Sequence, residues 1–276
     1  MTYQDIRYGV ENGVATVTLN RPDFLNAWTR QMEQDVRAAM TEATQDDAVR
    51  AIILTGEGRG FCAGADMSLL SAVQDGDEQD ASVRGQRPGP IEGGLDLPDD
   101  FGLRYDYFPS VPKPIIGAIN GPCAGLGLVM ALYTDVRFAA ESAVFTTAFS
   151  RRGLIAEHGI SWTLPRLVGQ AAALDLLLSA RKVRAPEALQ LGLVNQVYPD
   201  GELMDAARAY ADDLANNVSP RSIAVMKRQL YTTPFQDLGQ AIEDANVEMA
   251  ASLKCDDFKE GVAHFVEKRP AKFTGT

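Results

Sequence analysis

From Val14 to Leu19 apolar and small polar residues alternate, the period-two pattern of a half-buried strand, and Asn20-Arg21-Pro22-Asp23 ends it. A helical stripe follows between Thr29 and Ala43, with Met32, Val36, Ala39, Met40 and Ala43 on one side. Ala51 to Gly56 is a continuous apolar run closing on glycine, as in a strand buried on both faces. Lys113 to Gly121 repeats that pattern and ends at Asn120-Gly121. Gly125-Leu126-Gly127 then opens a helix through Val129, Met130, Ala131 and Leu132. Two short strands are predicted over Asp135–Ala139 and Ala143–Phe145. From Ser161 onward the stripes are mostly helical, over Leu174–Leu178, Asp205–Leu214, Pro220–Tyr231, Leu238–Met249 and Asp257–Val266. The fold class is therefore α/β, with a core over about residues 1–200 and a helical region over 201–276.

Residues 74–102 interrupt this pattern with Asp, Gly and Pro and few apolar anchors, which predicts a mobile loop. Such a loop is either a lid or a solvated insertion.

Charge narrows the partners. The 276 residues carry 26 Lys and Arg against 37 Asp and Glu, a net charge of −11, which opposes nucleic acid and anionic lipid as main partners. No apolar run is long enough to span a membrane, and Met1 to Asp5 lacks the layout of a secretory signal, so a cytoplasmic protein is expected. Cys62, Cys123 and Cys255 are scattered and the two histidines are His158 and His264, so neither a disulfide framework nor a metal site is expected. Buried, inert thiols are the reading for the cysteines, with a nucleophilic cysteine beside His158 as the alternative.

Two glycine-containing stretches follow predicted buried strands: Gly58-Arg59-Gly60-Phe61-Cys62-Ala63-Gly64-Ala65-Asp66 and Gly121-Pro122-Cys123-Ala124-Gly125-Leu126-Gly127. Glycine permits positive φ and close approach of a ligand to the backbone. Two such bends facing each other could aim two N–H groups at one oxygen, an oxyanion hole. The same residues also suit two ordinary tight turns with their N–H groups satisfied internally. Neither stretch matches a dinucleotide or phosphate-loop fingerprint, and no Gly-x-Ser-x-Gly elbow is present.

Phe61-Cys62-Ala63-Gly64-Ala65-Asp66 followed by Asn120-Gly121-Pro122-Cys123-Ala124-Gly125-Leu126-Gly127 resembles the enoyl-CoA hydratase/isomerase, or crotonase, family. Val17-Thr18-Leu19-Asn20-Arg21-Pro22 with Leu25-Asn26-Ala27, Lys113-Pro114-Ile115-Ile116, Ala188 to Val194 and Phe258 to Arg269 match in the same order. The resemblance implies a spiral of ββα units, a C-terminal helical region between subunits, and a homotrimer or dimer of trimers. It implies an acyl-CoA thioester as substrate, in fatty acid metabolism, with coenzyme A entering as part of the substrate and no separate cofactor. By the match of motifs, the N–H groups of Ala65 and Leu126 would hold the thioester oxygen, and the Ala63 carbonyl would sit near the adenine amino group. Lys272 would reach the CoA phosphates, of a neighbouring subunit or its own. Asp23 stands where the family often carries a basic residue.

Two departures from the family are informative. Its hydratases carry glutamates where this chain has Val129 and Phe149, so water addition by that pair is excluded. A third position, used by related isomerases and dehalogenases, holds Glu157. Flanked by apolar residues and glycines, Glu157 suits a general acid or base, or else a carboxylate ahead of a helix N-terminus. Asp66 is expected to fix its turn through backbone hydrogen bonds. Trp162 and Phe149 would line the acyl pocket or belong to the core, Tyr105 and Tyr107 would cap it, and His158 would support Glu157. The expected reaction is double-bond isomerisation or an atypical hydration through Glu157. The alternatives are a thioester hydrolase or dehalogenase-type enzyme in which Glu157 is nucleophile or water activator, and a non-catalytic CoA-binding protein.

Overall fold

The computed structural model describes residues 2–67 and 88–276. Over these residues the strands are β1 (Ile6–Glu11), β2 (Val14–Leu19), β3 (Ala51–Gly56), β4 (Ile115–Ile119), β5 (Cys123–Ala124), β6 (Val136–Ala140), β7 (Val144–Thr146), β8 (Val183–Arg184) and β9 (Gln196–Tyr198). The helices are α1 (Arg30–Gln45), α2 (Leu126–Leu132), α3 (Ile160–Ser179), α4 (Ala185–Gln190), α5 (Leu203–Asn217), α6 (Pro220–Thr232), α7 (Leu238–Ser252) and α8 (Asp256–Glu267). One sheet has the order β1-β2-β3-β4-β6-β9 and a second, smaller one the order β5-β7-β8. Only β1 is antiparallel in the first sheet; every other neighbour pair there is parallel.

The parallel strands place the site. In β3 every residue is buried, with Ile52 and Leu54 in the larger core and Ala51 and Ile53 in a smaller one covered by Leu203, Ala207 and Ala211 of α5. The larger core takes the apolar stripe of α1, all of whose predicted members are buried. Thr29 caps this helix through its hydroxyl, which accepts from the Met32 amide at 2.9 Å. Because β3 and β4 are adjacent and parallel, the glycine-containing stretches that follow them emerge side by side at one end of the sheet.

Strand β1 escapes the hydropathy pattern because, of its residues, only Ile6 is buried. Its signal is the Asn12-Gly13 pair, whose φ angles of 51° and 81° make the two-residue hairpin to β2. Helix α3 is two runs broken at Gly169, with φ 78° and ψ 160°. The predicted loop at 74–102 lies outside the described residues over 74–87. Over 88–102 the expectation of few apolar anchors fails: Ile91 and Phe101 are buried, and the Leu95 amide donates to the Ser110 carbonyl at 2.6 Å.

A buried ion pair ties the helical region to the core. Lys227 of α6 donates to Asp135 at 2.6 Å and to the Lys113 carbonyl at 3.2 Å, and the Tyr231 hydroxyl donates to the same Asp135 carboxylate. None of the helices among the described residues is long and apolar enough to cross a membrane.

Candidate active site

The first bend is built around Asn26. Its side-chain amide is fully buried and donates to the carbonyls of Glu57 (3.0 Å) and Gly60 (2.7 Å), while its Oδ1 accepts from the Arg21 amide at 2.8 Å. Asn26 sits at φ 55°, a region that asparagine tolerates better than most residues. Asn120, at the end of β4, donates to the carbonyls of Gly56 and Gly58, each at 2.8 Å. Two asparagines thus stitch the segments after β2, β3 and β4 into one unit.

The second bend is locked onto the first by a parallel bridge between Cys62 and Cys123. The Cys62 amide donates to the Pro122 carbonyl at 3.1 Å and the Ala124 amide to the Cys62 carbonyl at 3.0 Å. Packing here leaves no room for a side chain on Gly127 unless the bends shift: a Cβ there would lie 2.7 Å from the Cys62 Cβ and 2.9 Å from its sulfur. Both thiols are fully buried and free, and burial pushes the Cys62 thiol up to about 12. They are packing groups, as expected.

The orientation of the Ala65 amide follows from pairing. Trp28 donates to the Gly64 carbonyl at 2.8 Å and accepts from the Asp66 amide at 2.9 Å, so the intervening Ala65 turns its own N–H away from that partner. Leu126 is the first residue of α2, and the first N–H groups of a helix have no intrahelical acceptor. Gly125 before it supplies no side-chain cap and holds φ 51° and ψ −120°, which presents the Leu126 amide at the bend. Among the described residues, neither the Ala65 nor the Leu126 amide has a backbone acceptor outside a helix or strand. The two bends are in contact at this point: a Cβ on Gly64 would stand 3.0 Å from the Ala124 carbonyl oxygen and 3.9 Å from the Leu126 nitrogen. Gly64 itself has φ 104°.

Asp66 is expected to fix its turn through backbone hydrogen bonds; its carboxylate accepts instead from the Arg21 guanidinium at 2.8 Å, an ion pair that ties the Arg21-Pro22 segment to the first bend. Ala63 donates its amide to the Leu25 carbonyl at 3.0 Å and is half-buried.

Glu157 lies on a turn leading into α3, and the neighbouring His158 has φ 53°. On this turn the two side chains come together, with His158 Nε2 3.9 Å from Glu157 Oε2, and both are partly exposed. The Tyr105 ring meets the His158 ring edge-on at a centroid distance of 4.6 Å. The Tyr133 hydroxyl, just past α2, donates to the His158 carbonyl at 2.9 Å. Gly159 is required beneath it, since a Cβ there would lie 2.5 Å from that hydroxyl. Burial pushes the Tyr133 phenol well above its usual range, so it stays a donor.

Val129 is fully buried and Phe149 nearly so, in the same apolar core as Trp28, Leu126, Tyr133 and Ile160. Trp162, one turn into α3, lines a cavity of about 220 Å³ with Tyr133, Gly159, Phe101 and Phe235. Tyr107 does not cap a pocket: it is buried, with the Arg37 guanidinium 4.6 Å from its ring centre. Tyr105 is buried as well and bonds Glu33 through its hydroxyl at 3.2 Å. Lys272 is remote within the chain. Its amide bonds Glu260, and nearby Gly275 packs against Arg50, which precedes β3 at the sheet end opposite the bends.

A parallel sheet with two tethered bends at its C-terminal edge, followed by a helical region, defines a crotonase fold. The chain belongs to the enoyl-CoA hydratase/isomerase family, whose model matches residues 9–88 and 99–276. It is 34% identical to the 1,2-epoxyphenylacetyl-CoA isomerase of Escherichia coli, over 96% of this chain and 97% of that one. Among solved structures, an enoyl-CoA hydratase from Bacillus anthracis superposes with a TM-score of 0.86 at 27% identity, covering 99% of this chain and 100% of that one. An enoyl-CoA hydratase from Polaromonas sp. JS666 gives 0.85 at 28% identity, covering 97% and 99%. The chain is thus an acyl-CoA-processing enzyme of the lyase or isomerase kind.

Proposed function

We propose that the Ala65 and Leu126 amides form an oxyanion hole for the carbonyl oxygen of an acyl-CoA thioester, and that Glu157 moves the proton. The observation that supports this most is the contact of the two bends at Gly64 and Leu126, with neither amide, among the described residues, having a backbone acceptor outside a helix or strand. Removal of a proton next to a thioester carbonyl places negative charge on its oxygen, and one preorganised donor there is typically worth about 10²–10³ in rate. A single carboxylate suffices for a 1,3-proton shift, since it can take the proton from one carbon and return it two carbons away. With Val129 and Phe149 in place of the hydratase glutamate pair, double-bond isomerisation is favoured over hydration.

In this reading the Ala63 carbonyl meets the adenine amino group, while Val129 and Phe149 wall the acyl group. Lys272 serves a site other than its own chain's, which the position of its segment at the far end of the sheet supports. Leu230, Leu238, Val247 and Phe265 of α6 to α8 are largely exposed, and an apolar surface of this kind suits the subunit interface of a homotrimer or dimer of trimers.

The test supplies crotonyl-CoA and a 3-enoyl-CoA separately and follows products by mass and absorbance. Conversion of the 3-enoyl to the 2-enoyl thioester is expected, and Glu157→Gln is expected to abolish it while CoA-thioester affinity stays within a few-fold. Turnover unchanged by Glu157→Gln would remove Glu157 from the mechanism, and no turnover of either compound would refute the proposed reaction.

A further inference from the structure

We infer that the acyl group this enzyme accepts carries an aromatic ring, held in the cavity between Tyr133, Trp162, Phe101 and Phe235. This rests on the acyl-CoA reading above and goes beyond it by naming the substrate class.

The cavity wall is continuous with the turn that carries Glu157. Gly159, two residues further on, lines it directly, and the Trp162 amide donates to the Gly159 carbonyl at 2.9 Å. Tyr133 lines it beside Gly159 and holds the same turn through the His158 carbonyl. A group bound there therefore lies against the turn that carries the proposed proton carrier.

Its size fits a ring. An apolar cavity of about 150 Å³ is enough to bind benzene in another protein. This one is about 220 Å³.

Its chemistry distinguishes a ring from a chain of equal carbon number. Phe101 presents T-shaped geometry to Trp162 (6.2 Å), Tyr231 (5.7 Å) and Phe235 (6.0 Å), while Trp162 and Phe235 lie nearly parallel with centroids 6.0 Å apart. A further ring entering this cluster gains edge and face contacts that an alkyl chain does not. The carboxylate-bearing residues Asp100 and Asp106 complete the lining. Negative charge suits the electropositive edge of an aromatic ring and gives an alkyl chain nothing in return for its desolvation.

The experiment measures dissociation constants by calorimetry for two thioesters with eight acyl carbons each and no enoyl double bond, phenylacetyl-CoA and octanoyl-CoA. The expected result is phenylacetyl-CoA binding about tenfold more tightly, with Trp162→Leu reducing that ratio to within twofold and Trp162→Phe retaining most of it. Phe235→Leu, at a half-exposed position, gives a second reduction if Trp162→Leu does not fold. Equal or tighter binding of octanoyl-CoA overturns the aromatic assignment and leaves the acyl-CoA reading standing. Failure of both thioesters to bind overturns the two together. A tenfold preference untouched by Trp162→Leu and Phe235→Leu also overturns it, because the ring then binds elsewhere.

Discussion

Replacing Gly127 by alanine isolates the contact between the two bends, because this glycine is helical and the substitution adds a methyl group without demanding positive φ. The new Cβ would stand 2.7 Å from the Cys62 Cβ and 2.9 Å from the sulfur, and closer still to the Cys62 carbonyl oxygen. Carbon atoms pack at about 3.5–4.0 Å, so the bends must separate by roughly 1 Å. The atom pressed is the carbonyl that accepts from the Ala124 amide, two residues before Leu126, so the strain falls on the second bend itself. Overpacking of this kind costs about 1–3 kcal/mol of stability. A misplacement of about 1 Å at a catalytic group costs around 100-fold in rate. Urea unfolding and steady-state turnover of a 3-enoyl-CoA give the two numbers. Gly9→Ala, where a Cβ meets nothing within 4 Å, serves as the control. The expected result is a folded enzyme with kcat reduced about 100-fold and a KM changed far less. Full activity in a stably folded Gly127→Ala protein would refute the reasoning, as would a rate loss that merely follows the unfolded fraction.

Three further outcomes follow from the same architecture. Asn26→Ala removes a fully buried amide that bonds Glu57, Gly60 and Arg21, leaving their backbone groups unsatisfied, and should lower the unfolding free energy by about 1–3 kcal/mol in a denaturant titration. An unchanged midpoint would contradict the bracing role of Asn26. The thiols should separate by burial: iodoacetamide at pH 8 should label Cys255 in the native enzyme and all three cysteines after unfolding, as read by mass spectrometry. The Cys62 thiol is raised to about 12 by burial, so the folded chain keeps a proton that the unfolded chain loses near pH 9. Its contribution to stability is complete below pH 9 and is lost as the pH climbs toward 12. Cys62→Ala should flatten that part of the stability profile, and an equally steep fall without Cys62 would assign it to other groups.

The elements legible in the sequence are those whose burial imposes a period. The stripe of α1 and the fully buried β3 and β4 stand where the hydropathy pattern puts them, since both faces or one full face must be apolar. Strand β1 has one buried residue and offers no such pattern; the Asn12-Gly13 turn is its local signal. The two glycine bends were legible as strand ends followed by glycine, but their adjacency depends on β3 pairing with β4, a contact between residues far apart in the chain. Local context also hides side-chain partners. The Arg21–Asp66 ion pair and the packing of Tyr105 against His158 join segments that only the fold brings together. The segment at 88–102 looks unanchored because its two anchors, Ile91 and Phe101, are isolated among Gly, Pro and Asp.

Isotope-edited infrared difference spectroscopy tests the oxyanion hole most directly, with a saturated acyl-CoA labelled by ¹³C at the thioester carbonyl. Two hydrogen bonds from Ala65 and Leu126 should move the carbonyl stretch of the bound thioester to lower frequency than in water, and Gly127→Ala should move it back toward the free value. A band at the solution frequency for the fully bound thioester would contradict the account.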